Sequence, residues 1–78
     1  MDFKQEVLEL LAEICKEDVV KEDTNIDLFE NGLLDSFGIV EFLVKVEEKF
    51  NITVPITEVD RETWNTPNNI ANQLEDFR

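Results

Sequence analysis

The sequence contains no histidine and only one cysteine, and each shortage argues against a class of chemistry. Histidine is the commonest general base near neutral pH and the commonest metal ligand, so its absence argues against self-contained catalysis and against a typical zinc site. Cys15 has no second cysteine with which to form an internal disulfide. We therefore expect a protein that is not an enzyme and holds no metal, and we interpret Cys15 as a small, at least half-buried apolar residue.

Basic residues are also scarce, because seven Lys and Arg oppose nineteen Asp and Glu and the net charge is −12. Such a surface repels nucleic-acid phosphates and anionic lipid, so we expect neither as a partner, whereas proteins with Lys/Arg patches should be attracted. No stretch is long and apolar enough to insert into a membrane, and Asp2 and Lys4 leave no signal-peptide pattern. We therefore expect a cytoplasmic protein.

Glycine and proline, with two residues each in 78, are too few for a loop-rich fold and favour helices. Apolar residues recur at helical spacing over 3–15, over 36–50 and after the start signal Thr66-Pro67, and a short helical turn is predicted near Thr57. Residues 17–35 carry seven acids without periodicity. We predict one all-α domain over 1–78, a small four-helix bundle (three longer helices plus one short) with a long acidic loop before the second helix.

Ser36 is the single serine of the chain, and it stands where the helix predicted over 36–50 begins. Gly32 permits a tight turn just before it, and Asp35 or Ser36 can cap the helix. A hydroxyl at a helix N-terminus lies where a phosphate group is electrostatically favoured. The alternative interpretation is an ordinary Asp-Ser cap that only starts the helix.

The helix predicted over 36–50 carries two apolar stripes. One is predicted to face the core and consists of Ile39, Phe42, Leu43, Val46 and Phe50. The other lies about 130° away and consists of Phe37, Val40 and Val44, with Glu41, Glu47 and Glu48 at its borders. This second stripe is either part of a wide buried face or a small docking surface for protein partners, with Phe37 expected to be partly buried.

The run Gly32-Leu33-Leu34-Asp35-Ser36-Phe37, followed by Val40-Glu41 and Glu47-Glu48-x-Phe50, resembles the acyl carrier protein family. The resemblance covers nearly the whole chain. It implies that a phosphopantetheinyl transferase attaches a 4′-phosphopantetheine arm from coenzyme A to Ser36, with Asp35 helping to hold the transferase's magnesium. A carrier needs no base of its own, because the arm supplies a thiol and partner enzymes supply the chemistry.

Three details separate this sequence from the fatty-acid branch of that family: Phe37 after the serine, Leu33-Leu34 before the aspartate, and Trp64 before Thr66-Pro67. They resemble the branch that serves teichoic acid D-alanylation. That resemblance implies a D-alanine–carrier protein ligase that loads D-alanine as a thioester. It also implies membrane D-alanyl transfer machinery at the inner face of a bacterial membrane, and a monomeric carrier. The alternatives are a fatty-acid or polyketide-type acyl carrier protein, or an acidic helical interaction module without a prosthetic group.

Overall fold

The first helix, α1 (Phe3–Cys15), contacts each of the other α-helices in the computed structural model, which describes residues 2–78. Those helices are α2 (Val19–Glu22), α3 (Ser36–Phe50) and α4 (Pro67–Phe77), and a 3₁₀ turn at Ile56–Glu58 lies between α3 and α4. Over the described residues there is no strand, and no helix has the length and apolarity to span a membrane. The prediction of an all-α four-helix bundle is confirmed.

The helix boundaries follow from local capping chemistry. Asp2 caps α1 through an Oδ1 that accepts the N–H of Gln5 at 2.7 Å, and Thr66 caps α4 by accepting the N–H of Asn69 at 3.1 Å. Helices α1 and α3 end at residues in the left-handed region, Lys16 and Asn51, both with φ of 59°. The predicted spans 3–15 and 36–50 and the start at Pro67 are therefore confirmed.

The core fills the space between α1, α3 and α4, with Phe42 and Trp64 as its largest fully buried side chains. Trp64, which precedes the start of α4, thus closes part of the core. Phe50 lies at the margin of the core, where its ring meets that of Phe3 edge-on with the centroids 5.0 Å apart. The three long helices contribute to the core cluster the residues Val7, Leu10, Leu11, Ala12, Ile39, Phe42, Leu43, Val46, Ile70, Ala71 and Leu74.

The connection between α1 and α3 contains the one-turn helix α2, which the sequence analysis placed inside a loop. Four residues give no apolar periodicity to detect, and the turn is held against the core by the fully buried Val20 and the half-buried Val19. The predicted short turn near Thr57 is present as the 3₁₀ turn that starts one residue earlier, directly after Pro55.

The rest of the long connection is held against the start of α4 by hydrogen bonds. The N–H of Leu28 donates to the carbonyl of Asn65 at 2.7 Å, and the N–H of Asn68 donates to the carbonyl of Thr24 at 3.0 Å. The Asp27 carboxylate accepts a further bond from the Asn65 side chain at 3.2 Å. These bonds hold the segment that leads into α3 in a defined place, which matters for the residues at the helix start.

Candidate functional site

A tight turn brings the chain to the start of α3. The carbonyl of Leu28 accepts the N–H groups of Leu33 at 2.9 Å and Leu34 at 3.1 Å, and Gly32 supplies the positive φ of 68° that the turn requires. The Leu34 side chain is buried while Leu33 is half-buried, so the turn is anchored to the core. Apolar packing of this turn therefore holds the start of α3 against the core.

Asp35 is the N-cap of α3, and Ser36 is its first helical residue. The Oδ1 atom of Asp35 accepts the N–H of Gly38 at 2.7 Å, and its carbonyl accepts the N–H of Ile39 at 2.9 Å. Ser36 is exposed, and no hydrogen bond joins its side chain to another of residues 2–78. The choice between Asp35 and Ser36 as the cap is thus resolved in favour of Asp35, which leaves the serine hydroxyl in solvent.

Gly38 lets the cap and the turn approach each other closely. A Cβ atom at Gly38 would lie 3.0 Å from Cδ1 of Leu34 and 3.3 Å from the capping Oδ1 of Asp35. A side chain at this position would therefore require the Leu34 methyl group and the capping oxygen to move by a few tenths of an ångström. The glycine contributes space here, not an unusual backbone angle.

The two apolar stripes of α3 have opposite environments. Phe42 and Val46 in the first stripe are fully buried, whereas Phe37, Val40 and Val44 are 88%, 48% and 51% exposed. The interpretation of a single wide buried face is therefore wrong, and so is the expectation that Phe37 is partly buried. Phe37 lies in the first turn of α3 and is the most exposed residue of this stripe. Glu41, Glu47 and Glu48, predicted to border this stripe, are all exposed.

Ile56, which the sequence analysis did not select, extends the exposed stripe across to the 3₁₀ turn. Its side chain is 52% exposed and lines a shallow notch of about 190 Å³ together with Val40 and Val44. Glu47 forms part of the same notch. The sequence signal was weak, because Ile56 continues the spacing of the buried residues of its connector and only the turn after Pro55 leaves it exposed.

A second groove, of about 220 Å³, lies directly beside Ser36. One side of it is formed by Phe29 and Arg61, and the carbon Cζ of the Arg61 guanidinium lies 4.9 Å from the centroid of the Phe29 ring. The sequence analysis assigned neither residue to the site. They are seven and twenty-five positions away from Ser36, and only the fold brings them to it. The other lining residues are Ile39, Val40, Ile56 and Val59.

The site offers an accessible hydroxyl without groups that would activate it. No histidine exists in the chain, and residues 2–78 contain no cluster of three or more Cys, Asp or Glu that could hold a metal ion. Cys15 is half-buried at the end of α1, and this burial raises the pKa of its thiol to about 11. The thiol is therefore protonated at neutral pH, which agrees with the apolar role predicted for it. The geometry suits a hydroxyl that another protein modifies.

Comparison with known proteins gives consistent results. Residues 5–74 match the family described as "Phosphopantetheine attachment site". The chain is 63% identical to a D-alanyl carrier protein of Bacillus subtilis and 64% identical to one of Bacillus velezensis, in both cases over all 78 residues and the full length of the relative. It is 46% identical to a D-alanyl carrier protein of Bacillus cereus over 99% of this chain and 98% of the relative.

Proposed function

Because this chain belongs to the family of proteins with a phosphopantetheine attachment site, we propose that its arm is attached to Ser36 and carries D-alanine. Membership of the family means that the chain is a carrier with a covalent 4′-phosphopantetheine group and is not itself an enzyme. The observation that supports Ser36 is its position: the single serine of the chain is exposed at the first residue of α3. The D-alanine cargo is supported by full-length similarity to D-alanyl carrier proteins.

The residues around Ser36 fit a phosphodiester. Asp35 already satisfies the N–H of Gly38, so a phosphoryl group on the Ser36 oxygen would break no bond within residues 2–78. The unpaired backbone N–H groups in the first turn of α3 favour a negative charge at this point. When bound, the arm supplies a terminal thiol that holds an acyl group as a thioester. The chain itself contributes a fixed starting point for the arm.

Attachment requires a phosphopantetheinyl transferase as a partner. The Ser36 oxygen forms a bond to the phosphorus of coenzyme A that bears the pantetheine group, the nucleotide half leaves with the other phosphate, and the hydroxyl proton goes to a base of the transferase. Asp35 is exposed and uses Oδ1 for the cap. We assign its other oxygen, Oδ2, to the transferase's magnesium, a hard cation that prefers oxygen ligands.

The exposed stripe of α3 is the surface that we assign to partner binding. Phe37, Val40 and Val44 give it an apolar centre, and Glu41, Glu47 and Glu48 supply a negative rim. A partner with a basic rim and an apolar centre matches this surface, and we place the D-alanine–carrier protein ligase and the membrane D-alanyl transfer machinery here. Because Ser36 adjoins Phe37, a partner bound to the stripe has the start of the arm within its reach. These roles imply a monomeric carrier in the bacterial cytoplasm at the inner face of the membrane, within teichoic acid biosynthesis.

Intact-mass measurement tests the attachment site. The purified chain is incubated with coenzyme A and a broadly specific phosphopantetheinyl transferase, and we expect the mass of one arm to be added to the wild type and none to Ser36→Ala. Because the Ser36 side chain makes no hydrogen bond within residues 2–78, Ser36→Ala should unfold at the wild-type temperature, which serves as the folding control. An unchanged wild-type mass, or modification of Ser36→Ala, would contradict the proposal.

The cargo is tested on the modified protein. A D-alanine ligase, ATP and D-alanine should add the mass of one alanyl group to the arm-bearing wild type and none to the unmodified chain. The same arm-bearing protein incubated with an acyl–acyl carrier protein synthetase, ATP and a short fatty acid provides the comparison. Efficient fatty acylation without D-alanylation would assign the chain to the fatty-acid type of carrier instead.

A further inference from the structure

Arg61 is an unusual residue in its surroundings, because a chain of net charge −12 places a cation on the groove beside Ser36. Among the residues that line this groove it is the one charged side chain. Its guanidinium carbon lies 4.9 Å from the centroid of the Phe29 ring, within the range of a cation–π contact. The contact holds the guanidinium beside the groove, although the residue as a whole is exposed.

The Arg61 guanidinium also lacks an anionic partner within the described chain. Ion pairs over residues 2–78 join Lys21 to Asp18 and Arg78 to Glu75, and no carboxylate lies within ion-pair distance of Arg61, although Asp60 and Glu62 flank it in sequence. Asp60 instead uses its Oδ1 to accept the N–H of Glu62 at 2.9 Å. The guanidinium donors therefore remain available, in a fork whose geometry matches two oxygens of a phosphate.

We propose that Arg61, stacked on Phe29, binds the phosphodiester that joins the arm to Ser36 and so fixes the direction in which the arm leaves the domain. The proposal rests on the attachment site proposed above. The ligand is chosen by charge complementarity: the arm contributes one fixed negative charge close to Ser36, and Arg61 is the cation on the groove that Ser36 also lines. Arg61 is a positioning residue and takes no part in bond formation.

The direction matters because the groove continues to the exposed stripe. Val40 and Ile56 line both the groove beside Ser36 and the notch between α3 and the 3₁₀ turn. A phosphodiester held by Arg61 would hold the first atoms of the arm on the Phe29 side of Ser36. The arm would then sample fewer directions before a partner takes the thiol, which lowers the entropy lost on productive binding.

Arg78 provides a control for Arg61 in a different part of the domain. Arg78 also stacks on an aromatic ring, with its guanidinium carbon 4.4 Å from the centroid of Phe3, and it lies in a separate groove that Ser36 does not line. Arg61→Gln and Arg78→Gln remove the same charge and the same kind of stacking contact, and Arg78→Gln also removes the ion pair with Glu75. Both variants and the wild type are converted to the arm-bearing form, and intact mass confirms the modification in each.

Two NMR measurements then read the contact directly. In the wild type, attachment of the arm should shift the Nε–Hε resonance of Arg61 and leave that of Arg78 in place. The ³¹P transverse relaxation rate of the phosphodiester should be about twofold lower in Arg61→Gln than in the wild type or Arg78→Gln, because the phosphodiester would then move more freely. We expect a modest change because an exposed ion pair is weak. Arg61→Lys should recover only part of the rate, because an ammonium lacks the two-pronged geometry.

Two results would overturn the Arg61 proposal, and a third would overturn the attachment site on which it rests. An unshifted Arg61 resonance together with equal ³¹P relaxation in all arm-bearing variants would overturn the Arg61 proposal and leave the carrier function intact. An equal fall in Arg61→Gln and Arg78→Gln would also overturn it, since the effect would then report overall charge. Failure of the wild type to accept an arm at Ser36 would overturn the proposed attachment site itself, and the two failures are separated by the mass measurement.

Discussion

The two apolar stripes of α3 have similar composition and opposite environments. Phe42 and Val46 on one side are fully buried, whereas Phe37 is 88% exposed and Val44 51% exposed on the other. Both stripes belong to one continuous helix of 15 residues. The difference arises from what covers them, because α1 packs on the core side of α3, whereas the other side meets the connector around the 3₁₀ turn.

This difference shows that the domain leaves large apolar residues in water although its core is small. A chain of 78 residues has a limited core, so every large apolar residue left in water costs potential stability. Val40, Val44 and Ile56 are nevertheless exposed around one notch, and Phe37 is exposed about one turn before Val40 on α3. Such a patch, surrounded by carboxylates, is typical of a surface kept for partners rather than for folding. The same substitution made on each stripe of α3 tests whether their environments differ in this way.

The largest expected effect comes from placing a carboxylate on each stripe. Val46→Asp would bury an unpaired charge among the core residues and should cost about 4 kcal/mol or more, a large share of the stability of a small domain. Val44→Asp places the same group at a position that is 51% exposed and should cost at most about 1 kcal/mol. Urea unfolding followed by circular dichroism measures both. Equal destabilisation would mean that the outer stripe also belongs to the core.

The sequence was sufficient to predict most of the fold, because the determining signals are local. The apolar spacing in 3–15 and 36–50, the Thr66-Pro67 start and the caps each act over one or two helical turns. Local signals of this kind could not predict the one-turn helix α2. Its four residues are held by the burial of Val20 against α1, a contact that has no local sequence signature.

The candidate site was predictable in part for the same reason. Ser36 and Asp35 follow from a turn, a cap and a family motif that lie within a few residues of one another. Spacing defined the second stripe, but not whether it was buried, since periodicity shows which residues share a face and not what covers that face. Arg61 and Ile56 required the fold, because they approach Ser36 only through the path of the chain after Pro55.

The second prediction concerns partner loading rather than folding. Phe37→Ala and Val44→Asp should each reduce kcat/KM for loading by the D-alanine ligase by about tenfold or more, because they remove an apolar anchor or add a charge at the centre of the proposed interface. Both should keep the far-UV spectrum of the wild type. Asn72→Asp, which adds the same charge at an exposed position of α4, is the control and should be loaded normally. Normal loading of both stripe variants would exclude this face from ligase binding.

A smaller effect is expected from the negative rim of the stripe. Glu41→Lys and Glu47→Lys should lower the loading rate a few-fold at low salt, because exposed charges act mainly on the association rate. They should also flatten its dependence on salt, since fewer favourable charge pairs remain to be screened. Glu13→Lys makes the same charge change at an exposed position of α1. A matching decline in Glu13→Lys would show that net charge, rather than this rim, attracts the ligase.

The smallest expected effect concerns the buried side of α3 when the cargo is attached. Phe42 and Val46 are fully buried, and the grooves near Ser36 open at the surface, so the core has little space for an acyl group. D-Alanine also carries an ammonium group, which is costly to bury without a partner. Conversion of the arm-bearing carrier to its D-alanyl form should therefore leave the ring resonances of Phe42 and the methyl resonances of Val46 almost unchanged.

Any changes should be confined to groups that line the grooves, such as the methyls of Val40 and Ile56. The same carrier loaded with a short fatty acyl group provides the comparison, because an apolar chain without a charge has no such barrier to burial. Marked shifts at Phe42 and Val46 with D-alanine would show that the core admits the cargo, and the two sides of α3 would then share one function.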